Sequence, residues 1–357
     1  MIERLNALID CINNKNLDAI YLHDSSNIFY FSNFTGTNGK LLVFKDKILF
    51  FTDNRYTLRA KKEVYKDIEI IIEDSRDYIF KYIKENFLPI RTLGIIYSNI
   101  YYSEIIKFET YLSKESINFV DIKDCIENIR IKKNKNEIKI IKEAISIAEY
   151  IFNTAINYIK EGITERELFN KLYYLSLKNA EGVSFEPIVL FGENTAYIHG
   201  KSGDRNLKKG DFILIDYGIK YKGYCTDMTR TFVYNMANES QKEWYNIVLG
   251  ALKVAENSIE KYDDFRNLHI EVINYFDKFG KKDYFLHSLG HGVGIDIHER
   301  PYISEKVSEK IVDNTVFTIE PGLYKENFGG IRIENMYILE DKKLFKLNKF
   351  QEELIIL

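Results

Sequence analysis

Residues 212–233 read FILIDYGIKYKGYCTDMTRTFV: two apolar runs that flank a turn around Tyr221-Lys222-Gly223. Asp216 sits inside the first run, where an unpaired carboxylate is costly, and Asp227 opens the second. In a hairpin closed by a two-residue loop, facing residues have position numbers that sum to an odd value. That parity puts Asp216 and Asp227 on one face of the sheet. Either aspartate alone would be an ordinary hairpin or cap residue. Together on one buried face they read as a cation-binding pair.

Outward from this hairpin, the chain repeats an order. Upstream lies a long helix with Ile138, Ile141, Ile145, Ala148, Phe152, Ala155 and Ile159 as an apolar stripe, ended by Gly162. Its Lys-rich start, Arg130 to Lys142, reads as a solvated helix face. Thr164-Glu165-Arg166-Glu167 is a capping box that opens a second helix, which stops by Gly182. Strand-like segments follow to Val233. Downstream come a helix over 239–261, another from 264 to Gly280, and strands to the C-terminus. Helix-helix-strands therefore occurs twice, about 100 residues apart, which predicts a duplicated domain around a pseudo-twofold axis.

The first 125 residues have a different character. LDAIYL (17–22), a hairpin of LLVF (41–44) and ILFF (48–51), IEIII (68–72), LGIIY (93–97) and INFV (117–120) read as strands. Helical patterns follow Arg55 and fall near 76–87 and 103–115, an alternation that predicts an α/β layer domain. His23 reads as a structural residue at a strand end. The expected division is 1–125 and 126–357.

Composition narrows the function. Hydrophobic residues make up 45% and charged residues 29% of the 357 positions, the profile of a folded globular chain. Fifty Lys+Arg against 53 Asp+Glu leave a net charge of −3, too little basic field to gather nucleic acid or anionic lipid. Cys11, Cys125 and Cys225 form no CxxC pair, which argues for reduced thiols and against a disulfide framework. The N-terminus lacks the unbroken apolar stretch of a signal peptide, and no run of about 18 apolar residues occurs. The expectation is a cytoplasmic protein with no membrane or nucleic-acid partner.

Glycine and histidine concentrate in the second half. In HSLGHGVGIDIHERP (287–301), Gly290, Gly292 and Gly294 bracket His291, and His298 follows with Glu299. Ile295 stands where a GxGxxG phosphate loop needs its last glycine, and the histidine spacing is not HExxH. TIEPGLY supplies Glu320, and GGIRIEN supplies Glu334 in a strand with Arg332 on the same face. Asp216, Asp227, Glu320 and Glu334 bring four negative charges, and His291 adds a neutral nitrogen. Two divalent ions would balance that charge, and an oxygen-rich set with one imidazole favours Mn²⁺, Co²⁺, Fe²⁺ or Zn²⁺.

The series DYG…TDMTRT, GHGVGIDIHE, TIEPG and GIRIE resembles the pita-bread metallopeptidases, in the Xaa-Pro dipeptidase (prolidase) and Xaa-Pro aminopeptidase branch. NIFYFSNFTGTNGKLLVFKDKILFFTDNRYTLRAKKE is similar to that branch's creatinase-like N-terminal domain. IENIRIKKNKNEIKIIKEA resembles its interdomain helix start, and SFEPIVLFGENTAYIHG the segment ending in His199-Gly200. The resemblance implies an α/β N-terminal domain followed by a duplicated pita-bread (α+β) catalytic domain. It implies two divalent metal ions per subunit, Mn²⁺ first, held by Asp216, Asp227, His291, Glu320 and Glu334, with Asp227 and Glu334 bridging. Metal-activated hydroxide would cleave Xaa-Pro peptides, with Glu320 as proton shuttle. His199 and His298 would orient substrate and stabilise the oxyanion, and Arg332 would support the bridging glutamate and the substrate end. His287 recurs at the family spacing without a defined role. A homodimer is also implied.

Two positions depart from the family pattern: Phe191 before Gly192, where a small residue is usual, and Ile198 before His199, where proline is usual. Both are expected to flank the substrate pocket. Methionine aminopeptidase shares the five ligands but needs no N-terminal α/β domain, and creatinase has lost the metal set. Overall length and N-domain likeness favour the dipeptidase. The alternatives are an Xaa-Pro aminopeptidase acting on longer peptides and a non-catalytic pita-bread binding module.

Overall fold

The computed structural model describes residues 2–75, 77–87, 90–112 and 117–357. Contacts divide the chain into two compact units, Met1–Ile129 and Arg130–Leu357.

The N-terminal unit is built on α1 (Ile2–Asn14), β1 (Ala19–Leu22), α2 (Ser25–Ser32), β2 (Lys40–Val43), β3 (Ile48–Asp53), α3 (Thr57–Glu63), β4 (Glu69–Glu73), α4 (Tyr78–Asn86), β5 (Thr92–Ile95), α5 (Tyr102–Leu112), β6 (Asn118–Asp121) and α6 (Lys123–Ile131). Its six strands form one sheet in the order β4-β3-β2-β1-β5-β6. The antiparallel β2–β3 pair is the expected hairpin, and β1, β5 and β6 run parallel. Helices α1 and α2 were not among the expected elements. Asp24 caps α2 by accepting from the Asn27 N–H, so a four-letter polar run, HDSS, hides a helix start. The expected helices near 76–87 and 103–115 correspond to α4 and α5; positions 76 and 113–115 lie outside the described residues. His23 follows β1, stacks on Tyr21 and lies 3.4 Å from Glu104. That is the structural role expected of it.

In the second unit, α7 (Lys135–Ile156) and α8 (Glu165–Asn179) precede β7 (Gly182–Val183), β8 (Ile188–Phe191), β9 (Phe212–Tyr217), β10 (Ile219–Tyr221), β11 (Tyr224–Cys225) and β12 (Met228–Val233). Then α9 (Glu239–Ser258) and α10 (Phe265–Lys278) precede β13 (Gly290–Gly292), β14 (Glu299–Ile303), β15 (Val316–Ile319), β16 (Gly322–Lys325), β17 (Gly329–Arg332), β18 (Asn335–Glu340) and β19 (Lys343–Lys346). The helix-helix-strands order thus occurs twice. A smaller correspondence accompanies it: isolated antiparallel bridges join Thr164 to Asn206 and Asp264 to Lys310, each at the start of the second helix of its half. One core packs α7 and α8 on β8, β9 and β12, and another packs α9 and α10 on the later strands.

Local chemistry explains the boundaries. Thr164 and Glu167 form the expected reciprocal capping box of α8. Helix α7 ends at Ile156, so Ile159 of the expected stripe lies beyond it while still packing on the same core. The Lys-rich start is not uniformly solvated. Arg130 and Lys133 are only 8% and 3% exposed, because both pair with the buried Glu299. Their partner lies more than 160 positions away, so no local pattern announces it.

Candidate metal centre and its cavity

The β10–β11 hairpin closes through Lys222 and Gly223, with φ of 47° and 78°, the left-handed pair that a tight two-residue hairpin turn requires. Its register continues into β9–β12, where Asp216 faces Thr229. Asp227 therefore falls on the face of Asp216. Asp227 itself lies just before β12, where the ladder breaks, and Glu334 lies between β17 and β18 and not within a strand as expected. Glu320 similarly sits between β15 and β16, followed by Pro321. These interruptions free the backbone to turn carboxylates inward from separate strand pairs.

Asp216, Asp227, His291, Glu320 and Glu334 all line one cavity of about 490 Å³, together with His199, His287, His298 and Arg332. Ligand atoms of Asp227, His291 and Glu334 lie within 4.8 Å of one another. Nε2 of His291 is 3.5 Å from Asp227 Oδ2 and 3.4 Å from Glu320 Oε1. Two of the three glycines around His291 serve close strand packing, and Gly294 leaves room for the Glu299 carboxylate. A Cβ on Gly290 would collide with the Thr318 carbonyl, and one on Gly292 with the carbonyls of Glu299 and Arg300.

The donor set suits a cation. Asp216 Oδ1 and Asp227 Oδ1 are buried without a hydrogen-bond partner. Burial, reinforced by Glu334, Asp216 and Glu320 and opposed by Arg332, pushes the Asp227 carboxyl well above its usual range. Glu334 is raised by burial and by Glu320 and Asp216, against Arg332 and a hydrogen bond from Thr229. Burial also pushes Glu320 up to about 8, with Arg332 opposing and Asp216 adding. Groups raised by mutual repulsion in a dry place are what a bound cation relieves. His291 Nδ1 lies 3.1 Å from the Gly292 carbonyl, which can only accept, so the proton is on Nδ1 and the Nε2 lone pair faces the carboxylates. Burial and neighbouring His298 hold its pKa down to about 3, which keeps it neutral.

Supporting groups emerge that the residue pattern did not single out. Thr229 donates to Glu334 Oε2 at 2.7 Å. Arg332 donates from Nη2 to Asp216 Oδ2 at 2.5 Å, from Nε to Thr229 at 3.1 Å and from Nη1 to Tyr324 at 2.6 Å. Its direct carboxylate partner is Asp216; Glu334, the glutamate expected beside it, is reached through Thr229. Tyr324 Oη then lies 3.0 Å from His287 Nε2, and His287 Nδ1 lies 2.7 Å from the Ser288 carbonyl. Only one sense satisfies all of these: Arg332 to Tyr324 to His287 to Ser288. Thr229 could have been found from the alternation that starts at Asp227; Tyr324 carried no such signal. The rings of His291 and His298 meet edge-to-face at 4.3 Å. Ile198 and His199 line the cavity, but Phe191 is fully buried in the core behind β8 and does not, contrary to the expectation for it.

Residues 139–341 match metallopeptidase family M24, and residues 4–132 match the creatinase/prolidase N-terminal domain. The chain is 34% identical to the Xaa-Pro dipeptidase of Pyrococcus furiosus over 99% of its own length and 100% of that protein. The crystal structure of the prolidase from Pyrococcus horikoshii OT3 superposes with a TM-score of 0.93 at 32% identity, covering 99% of this chain and 100% of that one. The X-Pro aminopeptidase from Thermotoga maritima MSB8 gives 0.89 at 31%, covering 98% and 100%. The architecture is the expected one, a creatinase-like α/β domain followed by a pita-bread domain. With full-length likeness and both domain matches in place, the chain belongs to metallopeptidase family M24.

Proposed function

We propose that the chain is an Xaa-Pro dipeptidase in which Asp216, Asp227, His291, Glu320 and Glu334 would hold two divalent ions, Mn²⁺ first. The observation that carries this reading is the convergence of Asp216, Asp227, His291, Glu320 and Glu334 on one cavity whose two aspartates each keep a buried, unpartnered oxygen. Bound there, such ions acidify a water and polarise the scissile carbonyl.

The chain's own groups complete the reaction. Glu320 takes the proton of the attacking water and returns it to the departing proline nitrogen. His199 and His298 donate to the carbonyl oxygen as it gains charge, and Arg332 keeps Asp216 aimed into the cavity. Residues 126–357 carry all of these groups, and residues 1–125 none. The protein works in the cytoplasm as a homodimer on Xaa-Pro peptides; among the described residues no helix is long and apolar enough to cross a membrane.

Likeness to an X-Pro aminopeptidase favours a second reading, in which peptides longer than two residues are accepted. Mn²⁺-loaded protein offered Leu-Pro and Leu-Pro-Pro side by side separates the two. Cleavage of Leu-Pro is expected. Cleavage of the tripeptide alone replaces the dipeptidase with the aminopeptidase, and cleavage of neither, with metal bound, favours a binding module. Asp227→Ala abolishes turnover; near-normal activity in that variant refutes the metal assignment.

A further inference from the structure

Glu165 is the first residue of α8 and is 0% exposed. Helix capping falls to its neighbours Thr164 and Glu167, so its own carboxylate is available for another task. Oε1 accepts from the Phe191 N–H at 2.8 Å and from Asn194 Nδ2 at 3.0 Å, and Oε2 accepts from the Gly203 N–H at 2.9 Å. Phe191 ends β8, and Gly203 lies beyond His199. One buried carboxylate thus closes both ends of the segment 192–202, and Ile198, His199, Gly200 and Lys201 line the cavity from inside it.

The backbone repeats the closure: the Arg166 N–H donates to the Gly203 carbonyl at 2.9 Å, and the Glu165 N–H to the Arg205 carbonyl at 3.2 Å. On its other side the segment is held where the Gly330 N–H donates to Thr195 Oγ1 at 2.7 Å. His199 itself is exposed and, among the described residues, makes no hydrogen bond or ion pair of its own. Its place over the cavity is set by the backbone that carries it, which the Glu165 carboxylate holds at both ends. Three N–H donors converge on two acceptor oxygens, so a glutamine must turn its NH₂ toward at least one donor.

We propose that Glu165 is a positioning residue that sets His199 against the substrate through the 192–202 segment. This rests on the reading above in which His199 contacts substrate. The test is a double-mutant cycle on metal-loaded, full-length protein with Leu-Pro, using Glu165→Gln, His199→Ala and the pair. Glu165→Gln is expected to lower kcat/KM about 10- to 100-fold with bound metal unchanged, and to cost nothing further once His199 is alanine. A pair whose losses multiply, or a Glu165→Gln protein that has lost its metal, overturns the proposal while leaving the role of His199 intact. A His199→Ala protein with wild-type turnover removes that role and this proposal with it. If Glu165→Gln does not fold, Asn194→Ala removes one donor; its expected loss is about 3- to 10-fold, again absent when His199 is alanine. A loss that persists there overturns the proposal.

Discussion

Arg332 Nη2 lies 2.5 Å from Asp216 Oδ2, while the other oxygen of that carboxylate is buried and unpartnered. One guanidinium thus neutralises half of the carboxylate and fixes the direction of the rest. A lysine cannot reproduce the fork that also reaches Thr229 and Tyr324. Arg332→Lys should lower kcat/KM at least about 10-fold and weaken metal retention, read by assay and by metal content after dialysis. Wild-type values for both would show that charge alone suffices.

Thr229 joins the two charged groups, donating to Glu334 and accepting from Arg332. Thr229→Val keeps the shape and removes both bonds. The expected effect is a metal affinity about 10- to 100-fold weaker, measured by calorimetric titration of Mn²⁺ into chelator-stripped protein. An unchanged affinity would show that Glu334 needs no help in facing the cavity.

Lys133 and Arg130 share the Glu299 carboxylate at 2.5 and 2.6 Å. Lys133→Met leaves a buried carboxylate with one cation in place of two and should cost about 3 kcal/mol, visible as a lower melting temperature. The exposed Lys139→Met on the same Lys-rich stretch should stay within about 0.5 kcal/mol. Equal effects would contradict the distinction between buried and solvated cations.

Stability should also depend on Glu352. Burial raises its pKa, but hydrogen bonds and charge from Lys253 and Lys346 win and hold it below the ordinary 4.5. A depressed carboxylate stabilises the fold above its unfolded value, and that contribution fades as pH falls through the lower folded value. Denaturant unfolding of wild type and Glu352→Gln should differ most above pH 4.5 and converge in stronger acid. A gap that widens on acidification would reverse the assignment.

These cases show which features are legible along the chain. Asp216 and Asp227 could be placed on one face because a hairpin's parity is local, and Thr164 because a capping box spans one turn. Arg130, Lys133 and Glu165 read as ordinary helix-start charges, since what distinguishes them is a partner brought close only by folding. Glu334 was expected in a strand from its alternation with Arg332. The pattern cannot tell a strand from the break between two strands, which is where that carboxylate lies.

The hydrogen bonds from Arg332 through Tyr324 and His287 to Ser288 have a single sense, because the first group only donates and the last only accepts. Such a row is electrically polarised like a rail, buried where Arg332 meets Tyr324 and exposed where His287 meets Ser288, so reversal is costly at its inner end. One wall of the cavity therefore meets developing charge with dipoles already aligned, and reorganisation there during a reaction is small.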